Sequence, residues 1–537
     1  MASEVGRRDF LKGAGLALAG VAGCRQLDFL GLGPGAPDPS TMNILFIDNE
    51  DLTAEAIGCY GNPIVKTPHL DKLAATGVRF ARAYCQAPIC NPSRSSLGTA
   101  LRPETTGVFS NNENMETMLP KNAVSIAELL KRKGAFLANI GKLYHHHHTA
   151  VQQYSAFDRL EFGRPKGYQG ISRGYRVPPG TPPNPGTFRY SPDPAIEAKL
   201  RRLKRERDRL AKVLDRSDPR YWNKVQGPFY RVWTELLGDS GRIEERDPDG
   251  RKARLAAQML RQFSKDGRRF FLSLGFSKPH TPLRAPKKYI DLYDPDKIPM
   301  PQAPPDQDRG IPDCAKRYGK NYDLFNTVKQ TPERVRRAIA AYYACTTFID
   351  AQVGLVLDAL EETGLADNTL VIFFGDHGFN LGEHGCWSKY SLFEQSTRVP
   401  LIVRLPGAAG NARPCDEIVE LIDLLPTMAD VWDIPAPASF EGTSFRPLLA
   451  DPARPWKKAA FTTVDIAGWR ARSVRTKRHR YTEWTKGAAK ETELYDLGAD
   501  PWEQVNLAGD RAHAATTAEL AALLKQGWRA ARPPTGT

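Results

Sequence analysis

The sequence predicts an α/β protein with a mainly parallel central sheet flanked by helices, followed by a smaller C-terminal α+β domain. Three observations predict it. Four short apolar runs, 43–47, 136–140, 270–276 and 370–374, are bounded by turn residues and read as strands buried on both faces. Helical patterns, including 125–133 and the long stretch 332–363, lie between them, as the crossovers of a parallel sheet require. From about residue 411 the pattern changes to a helix near 418–432 and strand-like runs at 459–464, 470–475 and 481–484.

The N-terminal stretch GRRDFLKGAGLALAGVAGC carries Arg7 and Arg8, then a short apolar segment ending in Val21-Ala22-Gly23-Cys24. Its apolar part is too short to span a bilayer and has the charge order of a signal peptide. The arginine pair reads as a twin-arginine export signal, with Gly6 where Ser or Thr usually stands. The ending resembles a lipoprotein box, which puts a lipid on Cys24; a plain signal peptide is the other reading. Residues 1–24 are therefore expected to be the signal and 25–41 a linker. The large domain follows over 42–410, with a distinct block at about 150–260, and the smaller domain over 411–537. The expected location is the periplasm or cell envelope. The export machinery is the expected partner, and the membrane is reached only through Cys24.

A chain of 537 residues suggests two or more domains, and 41% hydrophobic with 25% charged residues is the composition of a globular protein. The net charge of +14 leaves two readings open: a solvated basic surface, or attraction to polysaccharide, nucleic acid or lipid head groups. The run AIEAKLRRLKRERDRLAKVLDR in the 150–260 block reads as a solvated helical insertion, with a polyanion-binding arm as the alternative. Seven cysteines follow Cys24 without a CxxC pair, which argues against zinc. Export permits a disulfide, but spacing assigns none.

Each of the four strand-like runs is followed by polar residues of catalytic type. After the first come Glu50 and Asp51; after the second, Lys142 and His145; after the third, His280; after the fourth, Asp376 and His377. Ligands bind outside the carboxyl ends of strands in open α/β sheets, so the four ends are expected to meet at one site. Glu50, Asp51 and Asp376 would repel one another without a cation between them, and oxygen ligands favour calcium or magnesium. His377 is a further ligand or a support for one. Lys142, Arg94 and Lys389 are candidate cations for an anionic substrate group. His145 and His280 are candidate acid and base groups, whereas at least two of His145–His148 read as solvent-facing. Pro92 suits the first turn of a helix, which puts Cys90 just before its N-terminus, where an anion is favoured. Alone, Cys90 reads as a buried thiol; beside Pro92, Ser93 and Arg94 it reads as functional.

These residues resemble the sulfatase family of the alkaline-phosphatase-like superfamily. CNPSR resembles the signature Cys-x-Pro-Ser-Arg, whose cysteine a formylglycine-generating enzyme oxidises to formylglycine. NEDL with GCYG, GKLYH, KPHTP and GDHGFNLGEHGCWSKYSLFEQSTRVPLIV match in order and spacing, and ELYDLGADPWEQVNLA resembles the C-terminal signature. The resemblance runs from about residue 42 to 508, closest in motifs to the iduronate-2-sulfatase branch. Two positions depart from the pattern: Glu50 replaces the first Asp of the usual pair, and Ala100 replaces a glycine.

The resemblance implies hydrolysis of a sulfate ester on a sulfated glycan or uronic acid, with no nucleic-acid partner. It implies a Ca2+ site (Mg2+ as the alternative) built from Glu50, Asp51, Asp376, His377 and the formylglycine made from Cys90. Arg94 belongs to the implied catalytic set. Lys142 and Lys389 would neutralise the sulfate, His280 would protonate the leaving alcohol, and His145 would take the proton whose loss expels sulfate. A phosphonate or phosphodiester hydrolase of the same superfamily is the alternative. A surface lipoprotein that binds sulfated glycans without turnover is another.

Overall fold

The computed structural model describes residues 36–145, 151–162, 175–185, 194–210, 212, 227–301, 308–316, 324–325 and 328–534. The expected signal peptide, Cys24, most of the linker and His146–His148 lie outside the described residues.

Nine strands form the central sheet. They are β1 (Asn43–Asn49), β2 (Val78–Tyr84), β3 (Phe136–Gly141), β4 (Arg159–Glu161) and β5 (Phe270–Phe276). Then follow β6 (Thr369–Gly375), β7 (Arg398–Val399), β8 (Leu401–Arg404) and β9 (Pro414–Glu420). Their order is β7-β2-β8-β6-β1-β5-β3-β4, with β9 also pairing β2. β7 and β8 are antiparallel to their neighbours and the other pairs are parallel.

Every residue of β1, β5 and β6 is buried, because helices cover both faces. The two-residue alternation of the strands sorts their side chains. Leu45, Ile47, Leu272 and Leu274 pack under the long helices, while Ile44, Phe46, Phe271 and Phe374 pack on the opposite face.

The helices include α1 (Cys90–Thr99), α2 (Pro194–Leu210), α3 (Pro248–Asp266) and α4 (Pro332–Glu362). α3 and α4 each start with proline at the first turn behind a capping side chain, Asp247 and Thr331. α4 is long and apolar enough to cross a membrane, yet most of that stretch is buried in the protein core.

Two expectations change here. The 150–260 block is not wholly an insertion, since α3 starts within it and supplies Ala253, Ala256 and Leu260 to the main core. α2 does behave as a solvated helix. Its Leu200 packs only into a small cluster with Phe229, Val232 and Leu236, and its outer face carries ion pairs such as Lys204–Asp208. The helix expected near 418–432 starts only at Leu424. The residues before it, Pro414–Glu420, pair in parallel with β2, and Cys415 and Val419 fill the core there. The segment from 411 thus adds a strand to the large sheet before the chain reaches the second one.

That second sheet is an antiparallel meander of β10 (Ala460–Ile466), β11 (Trp469–Arg475), β12 (His479–Lys486) and β13 (Ala489–Asp496). Helix Ala514–Gln526 covers one side, with Leu520 and Leu524 on Val474, Tyr481 and Leu494. Val464, Ala471, Trp484 and Tyr495 pack instead on Ile89, Leu392 and Phe393 of the larger unit. Cys59, Cys85, Cys90, Cys314, Cys345 and Cys415 are free thiols.

Candidate active site

The parallel order of the sheet brings the carboxyl ends of β1, β2, β3, β5 and β6 to one edge. Glu50 and Asp51 follow β1 directly, Lys142 follows β3, and Asp376 and His377 follow β6. Close approach of these ends requires glycine. A Cβ on Gly275, the penultimate residue of β5, would sit 1.9 Å from the Lys142 carbonyl oxygen.

Cys90 is the first residue of α1 and Ile89 is its cap, one position later in the helix than the sequence suggests. The unpaired N–H groups of the first turn and the helix dipole still bear on it. At the other end of α1, Ala100 caps the helix with φ +55°, a left-handed conformation that costs a residue with a Cβ roughly 1–2 kcal/mol. This is the position where the family pattern carries glycine.

Around the Cys90 sulfur the charged groups close in. His377 Nε2 lies 3.3 Å away, Lys389 Nζ 3.4 Å and Asp51 Oδ1 3.9 Å. Lys389 donates to both Asp51 carboxylate oxygens at 2.9 Å, and His377 Nε2 is 3.3 Å from Asp51 Oδ1. His280 brings its Nε2 to 3.9 Å from Asp51 Oδ2, while its Nδ1 bonds the Thr281 carbonyl at 2.8 Å. Lys142 pairs with Glu50. His145 is half-buried at the end of the turn leaving β3.

Arg94 departs from its expected role. Instead of facing an anionic substrate group it is buried and committed to protein acceptors. Its Nε donates to Asp376 at 2.9 Å, and its two terminal nitrogens donate to Asp48 at 2.7 and 3.1 Å and to the Leu143 carbonyl at 2.9 Å. A planar fork filled in this way sets the orientation of Asp376.

Asp48 and Tyr342 were missed by sequence reasoning. Asp48 follows the apolar run of β1 directly, and a carboxylate inside a fully buried strand was the available signal. Tyr342 sits in mid-α4, where nothing local marks it. Its hydroxyl donates to the Asp51 carbonyl and accepts from Thr53 N–H at 3.0 Å. With the bond from Asp51 N–H to Asp376 at 3.0 Å, it holds Asp51 at φ +57°, a strained value for a non-glycine residue.

Electrostatics follow from this crowding. Burial pushes the Glu50 and Asp51 carboxyls up, but Lys142, His280 and Arg94 around the one and His280, Lys389 and His377 around the other together outweigh it, and both settle at about 2. Asp48 keeps a net rise to about 6, because burial there exceeds the pull of Arg94. His377 is disfavoured as a cation by burial, yet Asp376, Cys90 and Asp51 raise it to about 9. The Cys90 thiol is lowered, Lys389, Lys142 and His377 overcoming its burial.

Two donor sets fit a metal ion: Asp51, Cys90 and His377, and Glu50, Cys90 and Asp376, with donor atoms within 4.8 Å of one another in each. The sulfur is common to both sets. The three carboxylates around it form a hard donor set, with the His377 imidazole beside them.

The comparisons with known proteins agree with this architecture. The Sulfatase family model matches residues 42–434, and the N-sulphoglucosamine sulphohydrolase C-terminal model matches residues 382–529. A sulfatase of Formosa agariphila is 30% identical over 501 residues, spanning 90% of this chain and 86% of its own. Iduronate 2-sulfatase of Mus musculus is 27% identical, spanning 91% of this chain and 94% of its own. Among solved structures, a phosphonate monoester hydrolase from Silicibacter pomeroyi has a TM-score of 0.67 at 24% identity, covering 91% of this chain and 95% of its own. A 2-O GAG sulfatase has a TM-score of 0.62 at 23% identity, covering 92% and 95%. These two share the fold. The family model extends over most of the chain and takes in Cys90 with the strand ends around it, so the chain belongs to the sulfatase family of sulfuric ester hydrolases.

Proposed function

We propose that this sulfatase hydrolyses a sulfate ester of a glycan or uronic acid through a formylglycine made from Cys90 and a divalent cation, Ca2+ in the first instance. The observation that carries the reading is the convergence of Asp51, His377 and Lys389 on the Cys90 sulfur, all within 4 Å. Oxidised and hydrated, residue 90 supplies one hydroxyl to attack sulfur and a second whose deprotonation expels sulfate. A cation held by Glu50, Asp51, Asp376 and His377 supplies the Lewis acidity that makes the attacking hydroxyl acidic.

The remaining roles belong to the chain's own side chains. Lys389 holds its ammonium between Asp51 and residue 90, where it neutralises a sulfate oxygen as charge moves onto the leaving oxygen. Lys142 does the same from the Glu50 side. His280 Nδ1 is engaged by a backbone carbonyl, which leaves Nε2 facing the cluster to donate a proton to the leaving alcohol. Arg94 orients Asp376, the group assigned to take the proton of the attacking hydroxyl. His145 is assigned the proton of the second hydroxyl.

Relatives named iduronate 2-sulfatase, ulvan-active sulfatase and Δ4,5-hexuronate-2-O-sulfatase support a sulfated carbohydrate as the substrate class. The signal-like residues 6–24 support twin-arginine export to the cell envelope with a lipid on Cys24. That route carries folded proteins, so modification of Cys90 would finish in the cytoplasm.

Mass spectrometry of the peptide containing residue 90, from protein made in the native host, tests the mechanism. Aldehyde in place of thiol is expected, and cysteine alone overturns it. Parallel assays on an aryl sulfate and a phosphonate monoester test the class of ester. A much higher kcat/KM on the phosphonate would favour the chemistry named for the Silicibacter pomeroyi neighbour.

A further inference from the structure

Lys389 reaches the site from a loop whose backbone is strained on both sides. Ser388 (φ +106°) and Tyr390 (φ +76°) are non-glycine residues in the left-handed region, so the local sequence does not favour the shape that delivers the ammonium. Something outside the loop must hold it.

The anchor lies five residues on, at Glu394. This buried carboxylate accepts from Arg475 Nε at 3.1 Å, Arg480 Nη2 at 2.5 Å and the Tyr84 hydroxyl at 2.9 Å. Arg480 also donates to Glu503 Oε1 at 2.6 Å and to Thr397 Oγ1 at 3.0 Å. Glu503 Oε2 in turn accepts from the Glu394 backbone N–H at 2.6 Å. Arg475 closes β11, Arg480 lies in β12, and Glu503 follows β13. One side of this network therefore belongs to the second sheet, and the other side belongs to the segment that carries Lys389.

The segment so fixed also meets the other catalytic strand ends. Thr397 O accepts from Cys85 N–H at 3.0 Å and Tyr390 N–H donates to Pro88 O at 3.2 Å, both on the approach to Cys90. Gly378, next to His377, donates to Ser396 O at 2.9 Å, and a Cβ there would lie 2.0 Å from Gln395 O. The apolar packing of Ile89, Leu392 and Phe393 on Val464, Ala471, Trp484 and Tyr495 closes the same seam.

We infer that Arg480, with Glu503, is a positioning residue for the reaction: the second sheet fixes segment 394–397 and thereby places Lys389 against residue 90. The inference rests on the proposed role of Lys389. Lysine cannot replace Arg480 here, because a point charge lacks the planar fork that spans Glu394, Glu503 and Thr397 at once.

The test is a double-mutant cycle on the full-length enzyme, with an aryl sulfate as substrate. Arg480→Lys is expected to lower kcat/KM at least about 10-fold in the native background and less than about 2-fold in a Lys389→Ala background. Faster hydrogen exchange of the 388–397 peptide should accompany the first loss. Equal losses in the two backgrounds, or no loss in folded Arg480→Lys protein, overturns the inference. If Arg480→Lys does not fold, Glu503→Gln carries the same cycle with the same expectations. An inactive wild-type enzyme overturns the proposed function and this inference together; an active one with an additive cycle overturns this inference alone.

Discussion

Two buried clusters of ions face each other across the loop that carries Lys389, and they are built on opposite plans. At the seam with the second sheet, Glu394 and Glu503 meet Arg475 and Arg480, two acids against two guanidiniums with direct hydrogen bonds between them. Around Cys90, the carboxylates of Asp48, Glu50, Asp51 and Asp376 meet Arg94, Lys142, Lys389 and the raised imidazole of His377, and the Cys90 thiol is itself pushed toward its anion. Charges paired off by direct hydrogen bonds make a joint, because every buried ion already has its partner. Charges of both signs gathered on one sulfur, and held there by strained backbone, make a binding site. The comparison separates positioning from chemistry in one molecule, and it can be broken at either end.

The largest effect is expected at the Cys90 end. Asp51→Ala, or treatment of the wild type with a chelator, should lower sulfate release by about 10⁴-fold or more, since both remove Lewis-acid activation. Elemental analysis should find bound divalent metal in the wild type and its loss in the variant. Retained metal with full activity would refute the assignment.

Lys389→Ala removes the ammonium beside residue 90 but leaves the carboxylates and His377. A loss of about 10²–10³-fold in kcat is expected, as for removal of one preorganised oxyanion donor. A change confined to KM would instead mark Lys389 as a ground-state binding residue.

His280 tests the same cluster through pH. Burial disfavours its imidazolium, but Asp51, Glu50 and the Cys90 thiol together outweigh burial and raise its pKa above the ordinary value of 6.5. A proton donor must be protonated, so kcat should be full below that raised pKa and fall as pH rises through it. His280→Gln should lower kcat by about 10²-fold and abolish that basic limb. An unchanged limb in the variant would assign it to another group.

The smallest effect concerns a carboxylate that neither plan accommodates. Glu55 lines a cavity of about 700 Å³ beside Glu383, Glu394 and Arg398, and its nearest cation, Arg398, is 3.7 Å away. Burial raises its pKa from 4.5 to about 7, against the pull of Arg398. Between those values the folded state keeps a proton that the unfolded state releases, so this residue's contribution to stability falls as pH rises from 4.5 through 7. Glu55→Gln should therefore raise stability by on the order of 1 kcal/mol at pH 8 and leave it unchanged near pH 4, as read by denaturant unfolding. Equal effects at both pH values would locate the cause in packing.

Much of this architecture was legible because its signals are local. The runs that became β1, β3, β5 and β6 are predominantly apolar, and the polar residues after them stand at the sheet edge the strand rule specifies. CNPSR marked both a helix start and the residue on whose sulfur the charged groups converge. What stayed hidden has no local signal. Pro414–Glu420 became a strand only because β2 offered a partner hundreds of residues earlier in the chain. α3 looked like part of an insertion until the sheet gave its apolar face something to cover. Arg94 reads as a free cation in sequence, and only the folded β1 brings Asp48 to occupy it.

By itself, then, the sequence determined the fold class, the residue types at the strand ends and the start of the helix that carries Cys90, because these depend on periodicity and on neighbours a few residues apart. Tertiary structure alone decided which cation faces which carboxylate, and that the second sheet would grip the Lys389 loop. Ion pairing is set by distances of a few ångströms between residues as far apart as Asp51 and Lys389 or Glu394 and Arg480, and no linear pattern encodes those distances.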